Sequence, residues 1–371
     1  MAALTVAIDA SRTTAARRTG TENYALQLIR ALIALDTSHR FVLYFRDTPA
    51  PGLFPARSHV EQRVIPWPRA WTHLRFAAAL WRSRPDVTFV PAHTLPLWFP
   101  GPAVVTVHDL GYVYFPEAHP PLSRRYLAWS TRHSVRRATR IIVNSLATAR
   151  DLSAHYHVPQ HRISLVYHGV DPSLAPVRDP DRLAAVRRRY GLPERYLLFV
   201  GTLQPRKNIA RLVRAYAQWR EQSGVRDVGL VLAGPRGWLY DPVWTAGAPD
   251  VVMTGYVADA DVPALYSGAL ALLFPSLHEG FGFPVLEAMR CGTPVITSNT
   301  SSLPEVAGDA ALLVDPRDVQ AIAAAIDRVV ADETLRASLV ERGFQQAATF
   351  TWERAAQQTL RVLERAAGAA L

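Results

Sequence analysis

Short apolar runs recur along the chain and alternate with longer stretches in which apolar positions return every three or four residues. In the first half the runs are LTVAID (4–9), RFVLYF (40–45), DVTFVPA (86–92), AVVTVHD (103–109), RIIVNS (140–145) and ISLVYHG (163–169). Each is short, apolar and followed by a polar loop, which predicts buried strands. Between the first two lie a polar loop, TTAARRTGTEN (13–23), and YALQLIRALIAL (24–35), where Leu28, Leu32 and Leu35 mark one face of a helix. Another helix-like stretch precedes RIIVNS. Strands alternating with helices predict a parallel sheet covered on both faces.

Around 171–195 the pattern breaks. DPSLAPVRDPD is rich in Pro and Asp and reads as a linker or hinge. The alternation then restarts with YLLFVG, the helix IARLVRAYAQW, VGLVLAG, VVMTGY, the helix VPALYSGA, ALLFPS, the helix PVLEAMR, PVITSN and AALLVD. TWERAAQQTLRVLERAA (351–367) reads as an amphipathic terminal helix. The fold class is α/β, with two doubly wound domains in series, as suits 371 residues. The first spans 1–178, the second 190–350. Ligands of open α/β sheets bind beyond the carboxyl ends of the strands. The positions to watch are therefore Gly20 and its loop, His108, Ser145, His168 with Gly169, Gly201 to Lys207, Gly234, Gly255 with Tyr256, and His278 to Phe283.

At 49% hydrophobic and 19% charged residues, both halves can bury a core. The lone Cys291 excludes an intrachain disulfide, suits a reducing cytoplasm and reads as a small core residue. MAALTVAIDASR has no basic leader segment and reads as a first strand, not a signal peptide. No uncharged apolar stretch of about 18 residues is present, so no membrane-spanning helix is expected. The net charge of +10 is lopsided: residues 1–180 hold 21 Arg against 11 Asp and Glu, whereas the remainder holds 20 of each sign. The first half is thus suited to meet something anionic. Nucleic acid is set aside because no recognised module accompanies the charge. Two basic stretches with interleaved aromatics, 67–84 and 123–140, allow two readings: a surface for anionic lipid headgroups, or helices packed on a sheet with arginines in water. The first reading places the protein in the cytoplasm on the inner face of the plasma membrane.

The most informative loop is PSLHEGFGFPVLEAMRCGTPVI (275–296). Gly280 and Gly282 permit a tight turn with exposed amides. Pro284 suits a first helical turn and Gly292 the residue past the helix end. A helix N-terminus of this kind favours anions, and Glu279 and Glu287 bracket it with acceptors suited to sugar hydroxyls. In GTLQPRKNIA (201–210), Ile209, Leu212, Val213 and Tyr216 mark a helix for which Asn208 is a natural N-cap. Arg206 and Lys207 lie just outside its N-terminus, where cations are unfavourable unless an anion is near. The strings DPD (179–181) and DAD (259–261) read as hinge and helix-cap residues, and HYHVPQH (155–161) as a solvated turn, so no metal site is expected. His108, next to Asp109 after an apolar run, is a candidate site residue.

These segments resemble the family 4 glycosyltransferases. Glu279 and Glu287, eight apart around GFGFPVLE, match that family's EX7E motif. GTLQPRKN is similar to its G-x-L-x-x-x-K-N segment, and LPEVAGDAALLVDP (303–316) to its LPEVVGDAALLVDP run. VYHGVD is similar to its PNGVD stretch, with Tyr167 and His168 in place of Pro-Asn. VTVHDL and IIVNS resemble segments of its mannosyltransferase-like members. The resemblance covers nearly the whole chain in order. It implies a GT-B fold of two Rossmann-like domains with a cleft between them, the helix 351–371 crossing back to the first. It implies retaining sugar transfer from a nucleotide-diphosphate donor, with no metal and no cofactor beyond that co-substrate. GDP-mannose is favoured over a UDP-sugar, and the acceptor is a glycan, lipid-linked intermediate or polysaccharide. Glu287 would hold the ribose, and Glu279 with the amides of Phe281, Gly282 and Phe283 the transferred sugar. Arg206 and Lys207, in the segment opened by Gly201, would bind the diphosphate. His108 would face the sugar, and Gly20 would let the first loop approach the phosphates. The rivals are a UDP-sugar transferase of the same fold and, from another class, a non-catalytic sugar-binding or membrane-adaptor protein.

Overall fold

The computed structural model describes residues 3–15, 20–118, 120–237, 239–245, 248 and 250–368. The chain forms two compact units, one of residues 1–169 with 351–371 and the other of residues 170–350.

In the first unit seven strands, β1 (Thr5–Asp9), β2 (Arg40–Phe45), β3 (Val60–Val64), β4 (Val87–Val90), β5 (Ala103–Val107), β6 (Arg140–Val143) and β7 (Ile163–Leu165), lie in the order β3-β2-β1-β4-β5-β6-β7. Every neighbouring pair is parallel. β4 and β5 are buried at each position, which is why they read as continuous apolar runs and not as alternation. β3 is absent from the strands expected on hydrophobic pattern. It is a half-exposed edge strand, VEQRV, whose Glu61 accepts a hydrogen bond from Arg40 at 2.6 Å. An edge strand can be polar because only one side of it pairs.

The helix Gly20–Ala34 begins four residues before the expected YALQLIRALIAL and buries Tyr24, Leu28, Ile29 and Leu32. The terminal helix Trp352–Gly368 packs on it and is tied by His39 to Glu364 at 3.0 Å. A Cβ on Gly169 would lie 2.3 Å from the Trp352 amide nitrogen, so only glycine permits this approach of backbone to helix start.

In the second unit β8 (Arg195–Val200), β9 (Val228–Ala233), β10 (Val251–Gly255), β11 (Ala271–Phe274), β12 (Val295–Ser298) and β13 (Leu312–Val314) form a parallel sheet in the order β10-β9-β8-β11-β12-β13. The expected hinge is shorter than its composition suggests. Asp179 caps the helix Pro180–Tyr190 by accepting from the Asp181 amide, with Pro180 at its start. Cys291 is buried and its thiol is pushed by that burial up to about 12, so it is a packing residue.

Both sheets reverse their order beside a first strand. β1 has β2 on one side and β4 on the other, and β8 has β9 and β11. A reversal of this kind leaves a crevice at the carboxyl ends, because the two following loops diverge.

Candidate functional site

In the second unit the loops after β8 and β11 meet at that crevice. Gly201 follows β8 directly, its amide bonded to the Ala233 carbonyl at 2.8 Å. The chain then makes a 3-10 turn, Pro205–Lys207, and enters the helix Ile209–Ser223 through Asn208 at φ +64°. Asn208 stands at the N-cap position, but its side chain does not cap. Its amide donates to the carbonyls of Pro275 (3.0 Å) and Pro316 (2.6 Å), tying together the loops after β8, β11 and β13. This contact across the sheet outcompetes the local cap expected from sequence.

Arg206 and Lys207 close on one carboxylate. Arg206 Nη1 donates to Glu279 Oε2 at 2.9 Å and to the His278 carbonyl at 2.9 Å, and Lys207 Nζ donates to Glu279 Oε1 at 2.6 Å. The Leu277 amide returns a bond to the Arg206 carbonyl at 2.9 Å. Lys207 Nζ also sits 4.8 Å over the Phe274 ring. Glu279 is 6% exposed. Burial pushes its carboxyl up, but Arg206 and Lys207 outweigh that and leave it below the usual carboxylate range. The anion beside the two cations is thus supplied by the chain itself.

The glycine loop is fixed from behind by two serines that the sequence did not single out. The Glu279 amide donates to Ser301 Oγ at 3.1 Å, and Ser302 Oγ donates to the carbonyls of Glu279 (2.9 Å) and Phe281 (2.7 Å). Nothing in SNTSSLPE betrays this role, because small hydroxyls occur in any turn. Phe281 is buried between Phe283 (5.4 Å) and Phe350 (5.9 Å). Gly282, at φ +112°, takes the N-cap position of the helix Phe283–Arg290. Glu287 stands one turn along that helix, half-buried, and accepts from the Tyr266 hydroxyl at 2.9 Å. Burial raises its carboxyl above the ordinary value. The Asp strings are used structurally. Asp261, expected as a cap, makes no cap bond and instead accepts from Arg189 (2.7 Å) and Tyr190 (2.9 Å).

In the first unit His108 follows β5. Its Nε2 donates to the Pro91 carbonyl at 3.2 Å, which fixes the tautomer, since a carbonyl only accepts. Its main-chain amide donates to His93 Nε2 at 2.9 Å, and the two rings stack 5.5 Å apart. Tyr24 meets His108 edge-on at 4.7 Å, and Tyr24 also packs on His168 at 4.3 Å. Burial, then neighbouring His93, push the His108 imidazole down to about 3. It is neutral at ordinary pH. Asp109 closes the loop by accepting from the Gly111 amide at 2.9 Å. Gly20 is exposed at the start of its helix and not within a loop; residues 16–19 of the expected phosphate loop lie outside the described residues.

The first basic stretch divides between core and surface. Trp71 and Phe76 are buried and stacked at 5.1 Å, whereas Trp67, Leu74 and Trp81 are exposed. In the helix Pro121–Arg137, Leu122, Tyr126 and Trp129 are exposed beside Arg124, Arg125 and Arg132. His73 joins the stretches, with Nε2 3.3 Å from the Tyr126 hydroxyl and its ring 6.2 Å from Trp129.

Comparison with known proteins bears on this geometry. Residues 18–174 match the model of Glycosyltransferase Family 4, and residues 186–346 that of Glycosyl transferases group 1. The chain is 38% identical over 264 residues to O-antigen chain mannosyltransferase B of Escherichia coli, covering 70% of this chain and 69% of that protein. It is 31% identical over 224 residues to the serotype-specific mannosyltransferase WbdA of Escherichia coli, covering 58% of this chain and 27% of WbdA. The solved structure of sucrose-phosphate synthase from Thermosynechococcus elongatus superposes on 99% of this chain and 100% of its own, with a TM-score of 0.76 at 24% identity. With both halves matched and more than two thirds of a 38% identical relative spanned, the chain belongs to glycosyltransferase family 4 and has the GT-B fold.

Proposed function

We propose that this glycosyltransferase transfers mannose, with retention and without a metal ion, from GDP-mannose to a growing glycan or lipid-linked acceptor. The observation that carries the reading is the cluster of Arg206, Lys207 and Glu279 at the switch point of the second sheet, beside the start of the helix Phe283–Arg290. When the sugar leaves, negative charge builds on the diphosphate. Fixed cations and helix N-terminal amides stabilise that charge without reorganising. An incoming diphosphate competes with Glu279 for the same two cations and turns the carboxylate toward the sugar hydroxyls. Glu287 takes the ribose, and the neutral His108 is a hydrogen-bond partner of the transferred sugar. Two mannosyltransferase relatives support the choice of sugar.

A thermal-shift panel of GDP-mannose, GDP, UDP-glucose and UDP tests the donor, because a ligand that binds the native state raises its melting temperature by mass action. A shift with the UDP pair alone rejects GDP-mannose in favour of a UDP-sugar. Undiminished transfer in EDTA is expected, and strict dependence on Mg²⁺ or Mn²⁺ would overturn the metal-free reading.

The joined basic and aromatic surface favours a second element, attachment to an anionic membrane. Among the described residues no helix is long and apolar enough to cross a membrane. Exposed Trp81, Tyr126 and Trp129 beside arginines suit the interface, where aromatic rings insert and guanidinium groups meet phosphates. Flotation with anionic vesicles at low salt is expected, with loss in Trp129→Ala. Recovery of the protein from the soluble fraction alone would reject attachment.

A further inference from the structure

We propose that Tyr266 is a positioning residue for the donor, holding Glu287 in the one orientation that lets its carboxylate accept from both ribose hydroxyls. The inference rests on the reading that Glu287 takes the ribose. Tyr266 lies in the short helix Val262–Ser267 and is fully buried, with its main-chain carbonyl accepting from Thr293 Oγ1 at 2.7 Å. The backbone that carries the ring is therefore held. The hydroxyl donates to Glu287 Oε2 at 2.9 Å. A glutamate on a helix surface has three rotatable bonds, and a bond to one oxygen removes most of that freedom before any ligand arrives. Oε1 and the remaining lone pair of Oε2 are then presented in a fixed plane, as a vicinal pair of hydroxyls requires.

The charges around Glu287 make this bond more than a packing detail. Asp171 and Asp259 act on it with like sign, and burial disfavours its ionised form. The Tyr266 hydroxyl is the neighbour that opposes them, donating to the carboxylate and favouring its charge. Phenylalanine would fill the same volume and keep the ring packing, so the hydroxyl's contribution can be isolated.

The experiment uses the full chain and measures dissociation constants by calorimetry for GDP and UDP and for their 2′,3′-dideoxy counterparts. Wild type is expected to prefer the ribose form of whichever nucleotide binds by about tenfold or more, the scale set by hydrogen bonds to a charged group. In Tyr266→Phe that preference should fall to about twofold or threefold, while affinity for the dideoxy form stays near the wild-type value. Glu287→Ala should abolish the preference, and adding Tyr266→Phe to it should change nothing further. Glu287→Gln, which still accepts from Tyr266, should retain part of it. An unchanged preference in Tyr266→Phe, or an equal loss for ribose and dideoxy forms, overturns the positioning role while Glu287→Ala still supports the ribose role. An unchanged preference in Glu287→Ala overturns both.

Discussion

Of the 41 Lys and Arg residues a single one is lysine, Lys207. Its setting explains why arginine is a poor substitute. The ammonium sits between the Glu279 carboxylate at 2.6 Å and the face of Phe274, and Lys207 is 9% exposed. A compact point charge fits there, whereas a planar guanidinium needs more width and a different fan of acceptors. Lys207→Arg should weaken nucleoside diphosphate binding about tenfold or more while leaving nucleoside binding nearly intact; full activity would mean that the lysine is interchangeable. Lys207→Ala leaves a buried carboxylate short of one partner, which should cost about 1–3 kcal/mol of stability, read by urea unfolding. Glu279 adds a pH dependence. Its native carboxyl lies below the ordinary value, so its stabilisation is complete above the unfolded pKa of about 4.3 and is lost as pH falls through the native one. Glu279→Gln should flatten that acid limb, and parallel curves for the two proteins would contradict the pairing.

At the scale of elements, buried parallel strands were legible because both their faces are covered, which makes them continuous apolar runs. RFVLYF coincides with β2 residue for residue. The edge strand β3 was not legible, since VEQRV buries too little to show a period. Gly169 reads in sequence as the end of an apolar run and, with His168, as a position facing a ligand, yet the docking of the terminal helix depends on it. With its Cβ position 2.3 Å from the Trp352 nitrogen and 2.6 Å from Trp352 Cγ, Gly169→Ala must displace that helix start. The expected loss is about 1–3 kcal/mol, and an unchanged urea midpoint would show that the backbone yields freely. Asn208 teaches the same lesson. Its type and position predicted a cap, but two carbonyls from distant loops captured its amide.

For the whole molecule, three clustered histidines of the first unit, His108 and His168 buried and His93 half-buried, set an acid limit. Burial pushes His93 below the ordinary value against the opposing pull of Asp109, and burial with the neighbouring imidazole pushes His168 below it and His108 down to about 3. The unfolded chain therefore binds more protons than the native one below about pH 6.5. Stability is fully present above that pH and falls as pH drops, by about 1.4 kcal/mol per pH unit for each histidine that stays neutral. Urea midpoints should decline steadily from about pH 6.5 to about pH 5, ahead of any carboxylate effect. A flat midpoint over that range would show that the cluster protonates without cost.

The sequence by itself determined the alternation of strand and helix and the motif segments that place the chain in its family. Each of these depends on period, turn chemistry and spacing, which are local properties. Tertiary structure alone decided which side chains meet. Lys207 reaches Glu279 across 72 positions, Tyr266 finds Glu287 across 21, and His73 joins Tyr126 across 53. Whether a cation faces solvent, a ligand or a carboxylate of its own chain depends on where distant loops converge and how much water they exclude. No local pattern encodes that convergence, because it arises from the order in which the strands lie side by side.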